Sequence, residues 1–157
     1  MEFGEFRVAD PQAMHELGMR VAHDLRAGDL LILTGVLGAG KTTFTRGLGE
    51  ALGVRGPVTS PTFVLARTHP SLAGGPSLVH VDAYRLSSPV ELDDLDIDYA
   101  NSVVVVEWGR GMVDDVSESW LDIEIDRPEG AVVDEADDDL IEERRVRIHG
   151  VGPRWEN

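Results

Sequence analysis

The residues best suited to chemistry lie in one short segment, GVLGAGKT at positions 35–42. The segment fits the pattern GxxxxGK[ST], in which glycines allow a tight loop whose backbone N–H groups point at phosphate oxygens. In such a loop Lys41 reaches the β and γ phosphates of a nucleotide, and the Thr42 hydroxyl coordinates Mg²⁺. The alternative is a glycine-rich turn with a chance lysine, which the flanking strand and helix patterns disfavour. The predicted phosphate-binding residues are Gly35, Leu37, Gly38, Ala39, Gly40, Lys41, Thr42 and Thr43.

Two acidic residues stand where a nucleotide-bound Mg²⁺ needs them. Asp82 ends the segment LVHVD and Glu107 ends VVVVE, so each carboxylate follows a predicted strand. Open α/β sheets gather ligands at the carboxyl ends of their strands, and Mg²⁺ takes one or two carboxylates besides water and phosphate. One acid is expected to serve the metal and the other the attacking water, with both assignments open; the alternative is that either acid caps its strand. The predicted catalytic residues are Lys41, Asp82 and Glu107, and the predicted metal ligands are Thr42, Asp82 and Glu107.

The elements around the glycine-rich loop follow from hydrophobic periodicity. A helix is predicted to begin after Asp10, an N-cap residue followed by proline at the first helical position. The continuous apolar run at 30–34 predicts a strand that is buried on both faces. A second helix is predicted to begin near Lys41 and to end at Gly53, a C-cap glycine. The loop therefore lies between a buried strand and a helix, which is the position that a phosphate-binding loop requires.

The remaining strands are predicted from β-branched and alternating patterns. The segment 58–69 starts as a loop and becomes a strand, which forms a hairpin with 78–82. One or two short helices are expected in 87–100, followed by a strand at 103–107. Alternation at 120–126 and 144–149 predicts a terminal antiparallel hairpin with one solvent-facing side. The acidic stretch 134–143 between these two strands is expected to be a mobile, solvated loop.

Composition limits the possible functions. The 157 residues include 14 Lys+Arg and 29 Asp+Glu, a net charge of −15, and no cysteine. The lack of cysteine excludes disulfides, thiolate zinc sites and cysteine nucleophiles. No apolar run approaches the length of a membrane span, and no export signal is evident, so a cytoplasmic protein is expected. The acidic excess disfavours broad contact with DNA or RNA backbones, so any role on nucleic acid is expected to be indirect.

Further motifs make the prediction more specific. After the loop come SPTF at 60–63, HVDAYRL at 80–86 and VVEWG at 105–109. This series resembles the bacterial TsaE family, formerly YjeE, the ATPase component of tRNA threonylcarbamoyladenosine biosynthesis. The resemblance runs from the first predicted helix to about Arg154. It implies one P-loop NTPase domain over 1–157, an α/β fold with a mixed, mainly parallel central sheet flanked by helices and ending in the antiparallel hairpin.

The resemblance also implies roles for individual residues and partners. Asp82 matches the Walker B acid, and Glu107 and Trp108 match a functionally important pair. Thr62 would face the γ-phosphate from a switch-like loop formed by 60–63, so Thr62 and Trp108 join the predicted nucleotide-binding residues. The cofactors implied are ATP and Mg²⁺. Family members hydrolyse ATP while acting with a TsaB–TsaD pair, and the chemistry on tRNA belongs to TsaD.

A few positions depart from the family or have simpler interpretations. The chain has Val36 where the family usually has Asp, and Met14 where it often has Thr, so polar contacts from those side chains are not expected. Trp108 is either a packing residue or a stacking one, and the resemblance favours function. Arg85 is a candidate arginine finger or a salt-bridge partner of the acidic segment that follows it. His80 is expected to share a sheet face with Asp82 without binding metal.

Two other functions share the same loop. A small-molecule phosphotransferase would need an acceptor pocket and usually an arginine-bearing lid, and no Arg-rich segment suits a lid. A nucleotide-gated binding module, in which ATP orders the switch-like loop and hydrolysis is incidental, is compatible with the family.

Overall fold

The structure is a computed structural model that describes residues 1–36, 39–56, 58, 65–84, 86–126 and 143–155. Its first half contains β1 (Gly4–Val8), α1 (Pro11–Ala22), β2 (Leu30–Thr34), α2 (Lys41–Leu52) and β3 (Ala66–His69). Its second half contains β4 (Ser77–Asp82), α3 (Pro89–Asp93), β5 (Ser102–Glu107), β6 (Trp120–Asp126) and β7 (Arg144–Val151), followed by a 3-10 turn at Pro153–Trp155. Among these residues no helix is long and apolar enough to cross a membrane.

Within the described residues the strands form one seven-stranded sheet in the order β1-β7-β6-β2-β5-β4-β3. The central pairs β6-β2, β2-β5 and β5-β4 are parallel, and the outer pairs β4-β3, β6-β7 and β7-β1 are antiparallel. This arrangement confirms the predicted α/β fold with a mixed sheet that is parallel in its centre. Both predicted hairpins, β3-β4 and β6-β7, are present as antiparallel pairs.

The central strands are apolar on both sides because each side of the sheet carries its own core. Helices α1 and α2 lie on one face, where Leu31 and Val105 pack against Met14 and Phe44. On the other face Ile32, Val104 and Val106 pack with Leu92 of α3. Successive residues of a strand point to opposite faces, so a continuous apolar run such as 30–34 fills both cores.

Helix α1 begins as predicted and ends earlier than its apolar pattern suggests. The Asp10 side chain accepts a hydrogen bond of 2.8 Å from the Ala13 N–H, and Pro11 occupies the first turn. The helix ends at Ala22, and Leu25 is only partly buried beside the same core. Helix α2 runs from Lys41 to Leu52, and Gly53 is its C-cap with a φ of 72°, so both predicted ends of this helix are confirmed.

Strand β1 is the element that the sequence analysis did not predict. Its residues pair antiparallel with β7, from Gly4 opposite Ile148 to Val8 opposite Arg144. Only Val8 is buried, so the strand has little of the alternation that identifies strands in a sequence. In the segment 87–100, where one or two helices were expected, the described residues form α3 alone.

Candidate functional site

The predicted site lies at the carboxyl edge of the parallel strands. Strands β2, β5 and β4 are adjacent, and Asp82 at the end of β4 is directly in register with Glu107 at the end of β5. The chain leaves β2 at Thr34 and enters α2 at Lys41, so the N-terminus of α2 lies above the same edge. The structure therefore gathers Lys41, Asp82 and Glu107 at one edge, as predicted.

The N-terminus of α2 is suited to an anion. Its N-cap residue is Gly40, which has a φ of 113° and offers no side chain to cap the helix. The first backbone bond of the helix runs from the Phe44 N–H to the Gly40 carbonyl, so the amides of Lys41, Thr42 and Thr43 precede it. Helix-terminal N–H groups without a capping side chain and the positive end of the helix dipole favour a bound phosphate.

Gly40 is fixed by its packing as well as by its backbone angles. A Cβ at this position would lie 3.1 Å from Cε of Met14, which is itself 2% exposed. Met14 therefore packs its apolar atoms against Gly40. Val36 is 55% exposed.

Lys41 is buried, and its ammonium has contacts with three described residues. Its Nζ donates a hydrogen bond of 2.6 Å to the Gly35 carbonyl and lies 3.6 Å from Oε1 of Glu107. The same Nζ lies 4.5 Å from the centroid of the Trp108 ring, a cation–π distance. The ammonium is thus held at the phosphate-binding end of α2 by a carbonyl, a carboxylate and an aromatic face.

Glu107 is buried between Lys41 and a histidine. Oε2 lies 2.8 Å from Nε2 of His80, a side chain with no solvent exposure. Burial raises the pKa of the Glu107 carboxyl, but the His80 ring and the Lys41 ammonium outweigh that effect and hold the pKa below its usual value of 4.5. Glu107 is therefore ionised at neutral pH, which both a metal ligand and a base require.

Asp82 occupies a more open position than Glu107. It is half-buried, and its Oδ1 accepts a hydrogen bond of 3.0 Å from the Tyr84 N–H. This local bond is the one that strand capping would use, and among the described contacts it involves Oδ1 and not Oδ2. The two acids thus share an edge of the sheet but differ in environment, since Glu107 is buried and paired whereas Asp82 is only half-buried.

Trp108 is oriented by an unusual backbone conformation. Its φ is 62°, and its N–H donates to the Leu33 carbonyl at 3.0 Å, which ties the end of β5 to β2. Its ring lies 5.7 Å from that of Tyr84 at an angle of 59°. Tyr84 is 72% exposed, so the two rings form an aromatic surface beside Lys41. Trp108 is a residue predicted from the sequence, whereas its neighbour Tyr84 was not predicted.

Several predicted residues lie outside the described part of the chain: Leu37, Gly38, Thr62, Arg85, the switch-like segment 60–63 and, apart from Glu143, the acidic loop 134–143. Their predicted roles stay predictions. The described loop residues Gly35 and Ala39 are buried at the base of the loop, and Thr42 and Thr43 lie half-buried in the first turn of α2.

His80 is the site residue whose contact the sequence analysis missed. The expectation that His80 shares a sheet face with Asp82 agrees with the alternation along β4. Glu107 on β5 belongs to the same face, because Asp82 and Glu107 are register partners. Strand alternation alone puts His80 on the Asp82 face, but the contact with Glu107 also depends on the register between β4 and β5, which the structure supplies.

The residues present suit Mg²⁺ shared with a nucleotide. Among the described residues no three His, Asp or Glu side chains converge as a ready-made metal cage. The oxygen donors at the edge are the Thr42 hydroxyl and the carboxylates of Asp82 and Glu107, beside an uncapped helix N-terminus. Mg²⁺ characteristically takes one or two carboxylates and completes its shell with water and phosphate oxygens.

Comparisons with known proteins agree with these features. The family model described as "Threonylcarbamoyl adenosine biosynthesis protein TsaE" matches residues 8–133. A protein of Streptomyces coelicolor named tRNA threonylcarbamoyladenosine biosynthesis protein TsaE is 59% identical over 145 residues, which cover 90% of this chain and 93% of the relative. The protein of that name from Bacillus subtilis is 34% identical over 155 residues, or 97% of this chain and 89% of the relative.

The fold has a counterpart among solved structures. A crystal structure of Bacillus subtilis YdiB superposes with a TM-score of 0.72 at 29% sequence identity, covering 98% of this chain and 89% of that one. The family match, the identity of the relatives and the common fold extend over most of the chain. The chain therefore belongs to the TsaE family of threonylcarbamoyl adenosine biosynthesis proteins.

Proposed function

We propose that this protein is an Mg²⁺-dependent ATPase of the threonylcarbamoyladenosine machinery, that it binds ATP through the loop 35–42, and that it acts with a TsaB–TsaD pair. The observation that carries the proposal is the position of Lys41. Its buried ammonium lies at the uncapped N-terminus of α2 and 3.6 Å from the carboxylate of Glu107. Membership of the TsaE family supplies the biosynthetic context.

In this proposal the chain's own groups bind and orient the triphosphate. The N–H groups at the start of α2 donate to phosphate oxygens, and Lys41 leaves the Gly35 carbonyl to contact the β and γ phosphates. Thr42, Asp82 and Glu107 are the residues that would hold Mg²⁺, either directly or through water. The bound ion would neutralise charge on the phosphate oxygens as the terminal phosphate leaves.

The two carboxylates divide the remaining work. Glu107 is ionised, buried and held by two neighbours, so it suits orientation or deprotonation of the attacking water. Asp82 is half-buried and has one oxygen bonded to the Tyr84 amide, so it suits the hydrated Mg²⁺. This division favours one of the two assignments that the sequence left open.

One observation also favours a nucleotide-gated binding role. Lys41 contacts the Trp108 ring, and that ring contacts the largely exposed Tyr84. A triphosphate that draws Lys41 toward itself would remove a cation from the Trp108 face and change the aromatic surface offered to a partner protein. We therefore expect docking on TsaB–TsaD to depend on the nucleotide and tRNA to be contacted only indirectly.

A direct test of nucleotide binding uses the fact that Lys41 is the only lysine in the chain. An amine-reactive reagent followed by peptide mass spectrometry reports the modification of this one side chain. ATP with Mg²⁺ should protect Lys41, whereas adenosine at the same concentration should not, since protection requires phosphates. The extent of Lys41 modification without any nucleotide is the reference.

Hydrolysis is tested by phosphate release. The protein is assayed alone, with candidate small-molecule acceptors, and with its cognate TsaB–TsaD pair. Release that rises with the pair supports the proposal, and phosphate transfer to an acceptor would instead indicate a phosphotransferase. Lys41 labelling that is unaffected by ATP, together with no phosphate release in any mixture, would refute nucleotide binding and hydrolysis alike.

A further inference from the structure

His80 is a fully buried histidine that contacts the carboxylate of Glu107. It lies in the middle of β4 with no solvent exposure, on the face that carries α1 and α2. An imidazole buried among apolar side chains loses its hydration, so its position needs a compensating contact. Among the described residues neither ring nitrogen has a well-directed hydrogen bond, but Nε2 approaches Oε2 of Glu107 to 2.8 Å.

The two oxygens of Glu107 have different neighbours. Oε1 faces Lys41 at 3.6 Å, and Oε2 faces His80 at 2.8 Å. Under the proposed function Lys41 turns to the phosphates when ATP binds, so its attraction for Glu107 is then shared with the nucleotide. The contact with His80 comes from within the sheet, below the phosphate site, and does not depend on the nucleotide.

We infer that His80 is a positioning residue that holds the Glu107 carboxylate in its working orientation while Lys41 is engaged by the triphosphate. The inference rests on the proposed function and adds a residue to its machinery. With a proton on Nε2, the ring donates to Oε2 and leaves Oε1 directed at the phosphate end of α2. His80 itself touches neither nucleotide nor metal in this arrangement.

The expected effect is on turnover rather than on ATP binding. The phosphate contacts of the loop and of Lys41 do not involve His80, so KM for ATP should change little when His80 is replaced. The carboxylate would lose its fixed orientation, and loss of a positioning contact lowers turnover by about 10- to 100-fold. A residue that only fills space would instead affect stability and both kinetic constants together.

Two variants of His80 are compared. His80→Leu fills the buried space without a hydrogen-bonding group, and the amide Nε2 of His80→Gln can donate to Oε2 of Glu107. Phosphate release is measured with the TsaB–TsaD pair, ATP affinity and melting temperature are measured separately, and His69→Leu is the matched control. His69 is also a buried histidine, on the neighbouring strand β3. It lies near His80, but it is not among the described groups that act on Glu107.

The expected result is a lower kcat in His80→Leu with ATP affinity retained, partial recovery in His80→Gln, and normal kcat in His69→Leu. In the Glu107→Gln background, adding His80→Leu should cause no further loss, because the carboxylate that His80 positions is already absent. A His80→Leu protein with normal kcat would overturn the inference, as would additive losses in the double variant.

A second measurement needs neither nucleotide nor turnover. The ring nitrogens of His80 are observed by NMR in protein labelled at histidine, with and without Glu107→Gln, and Asp82→Asn is the control. Glu107→Gln should shift the His80 ring signals and Asp82→Asn should leave them nearly unchanged. Unshifted signals in Glu107→Gln would contradict the contact even in an active protein. If Glu107→Gln shifts the His80 ring signals as expected but the wild-type protein never hydrolyses ATP, the contact is supported and the proposed function is refuted.

Discussion

The parallel and antiparallel halves of the sheet use charge in opposite ways. At the end of the parallel strands, Lys41 and Glu107 pair with side-chain exposures of 10% and 7%, next to a fully buried His80. The antiparallel half consists of β6, β7 and β1. Its ion pairs lie on one exposed face, here called the antiparallel face, and their side chains are much more accessible to solvent. Arg110 and Arg147 each contact two or more carboxylates there, drawn from Glu5, Asp122, Glu124 and Asp126.

This difference in exposure decides what each set of charges can do. Exposed pairs are screened by water and salt, and each contributes about 0–1 kcal/mol to stability. Buried charges interact strongly but cost several kcal/mol each to desolvate, so removing one partner is damaging. The exposed ion pairs of the antiparallel face therefore favour solubility and strand register. A few buried charges lie at the carboxyl ends of the parallel strands, here called the parallel edge, where a ligand can contact them.

The largest effect should come from removing the buried cation. Lys41→Met keeps the apolar stem but removes the charge that faces the phosphates, so ATP binding should weaken and phosphate release should fall by about 100- to 1,000-fold. Both are measured with Mg²⁺ and the partner pair. Arg46→Met is the control, because Arg46 is a cation on the same helix whose guanidinium donates to the Val58 carbonyl. Near-normal turnover in Lys41→Met would contradict the proposed role of the Lys41 charge in phosphate release.

The two acids at that edge should differ from each other. Glu107→Gln and Asp82→Asn should each lower turnover by about 100-fold if each residue serves the water or the metal. Glu107→Gln should also lower the melting temperature, since it leaves the buried Lys41 without its counter-charge, whereas Asp82→Asn should leave the melting temperature nearly intact. Thermal unfolding beside phosphate release measures both quantities. A stability loss with full activity per folded molecule would identify either acid as a structural cap.

The same contrast explains how much of the fold the sequence could predict. The parallel strands are buried on both faces, so 30–34 and 103–107 are recognisable as continuous apolar runs. The terminal hairpin alternates strictly and is recognisable for that reason. Strand β1 has one buried residue and is held by backbone pairing with β7, which leaves little trace in its side chains.

Site residues that the chemistry requires could be predicted from the sequence. Contacts that depend on how the strands and side chains pack could not. Lys41, Asp82 and Glu107 follow from a loop motif and from acids at strand ends. The His80 contact depends on the register between β4 and β5, and the neighbourhood of Tyr84 and Trp108 depends on the positive φ of Trp108. Neither register nor a left-handed backbone can be read from residue spacing alone.

A smaller effect is expected from His69, a buried imidazole on which no carboxylate acts among the described residues. Burial is the main cause that lowers the pKa of His69 from 6.5, helped by nearby His80 and Arg67 and opposed by the backbone of Arg55. The unfolded chain therefore binds the proton more readily than the folded chain. The stability that depends on neutral His69 is complete above pH 6.5 and is lost as the pH falls from 6.5 toward the lowered folded pKa.

His69→Leu should consequently flatten the decline in stability on acidification. Urea unfolding at about pH 7 and about pH 5 gives the free energy of unfolding for wild type and variant, and the wild type should lose more between the two. His149→Gln is the control, since His149 is exposed on β7. An equal decline in wild type and His69→Leu would show that burial of this imidazole does not affect its titration.

The smallest effect should come from the antiparallel face. Arg147 lies 3.2 Å from Glu124, 3.3 Å from Asp126 and 3.9 Å from Glu5, with 47% of its side chain exposed. Arg147→Ala should lower the free energy of unfolding by about 1 kcal/mol at most, because water screens each pair. The loss should diminish at high salt, where the Debye length is about 3 Å. Phosphate release should not change.

Arg7→Ala provides the comparison within this face. Arg7 is 78% exposed and lies 3.6 Å from Glu143, its one ion pair among the described contacts, so its replacement should cost less than that of Arg147. The three carboxylates around Arg147 repel one another once the guanidinium is gone, which puts Arg147→Ala nearer the upper end of the expected range. A loss of several kcal/mol that persists at high salt would mean that the ion pairs of the antiparallel face behave like buried ones. A fall in turnover would mean that this face is coupled to the parallel edge. Either result would contradict the claim that the exposed ion pairs of the antiparallel half contribute little to stability and nothing to turnover.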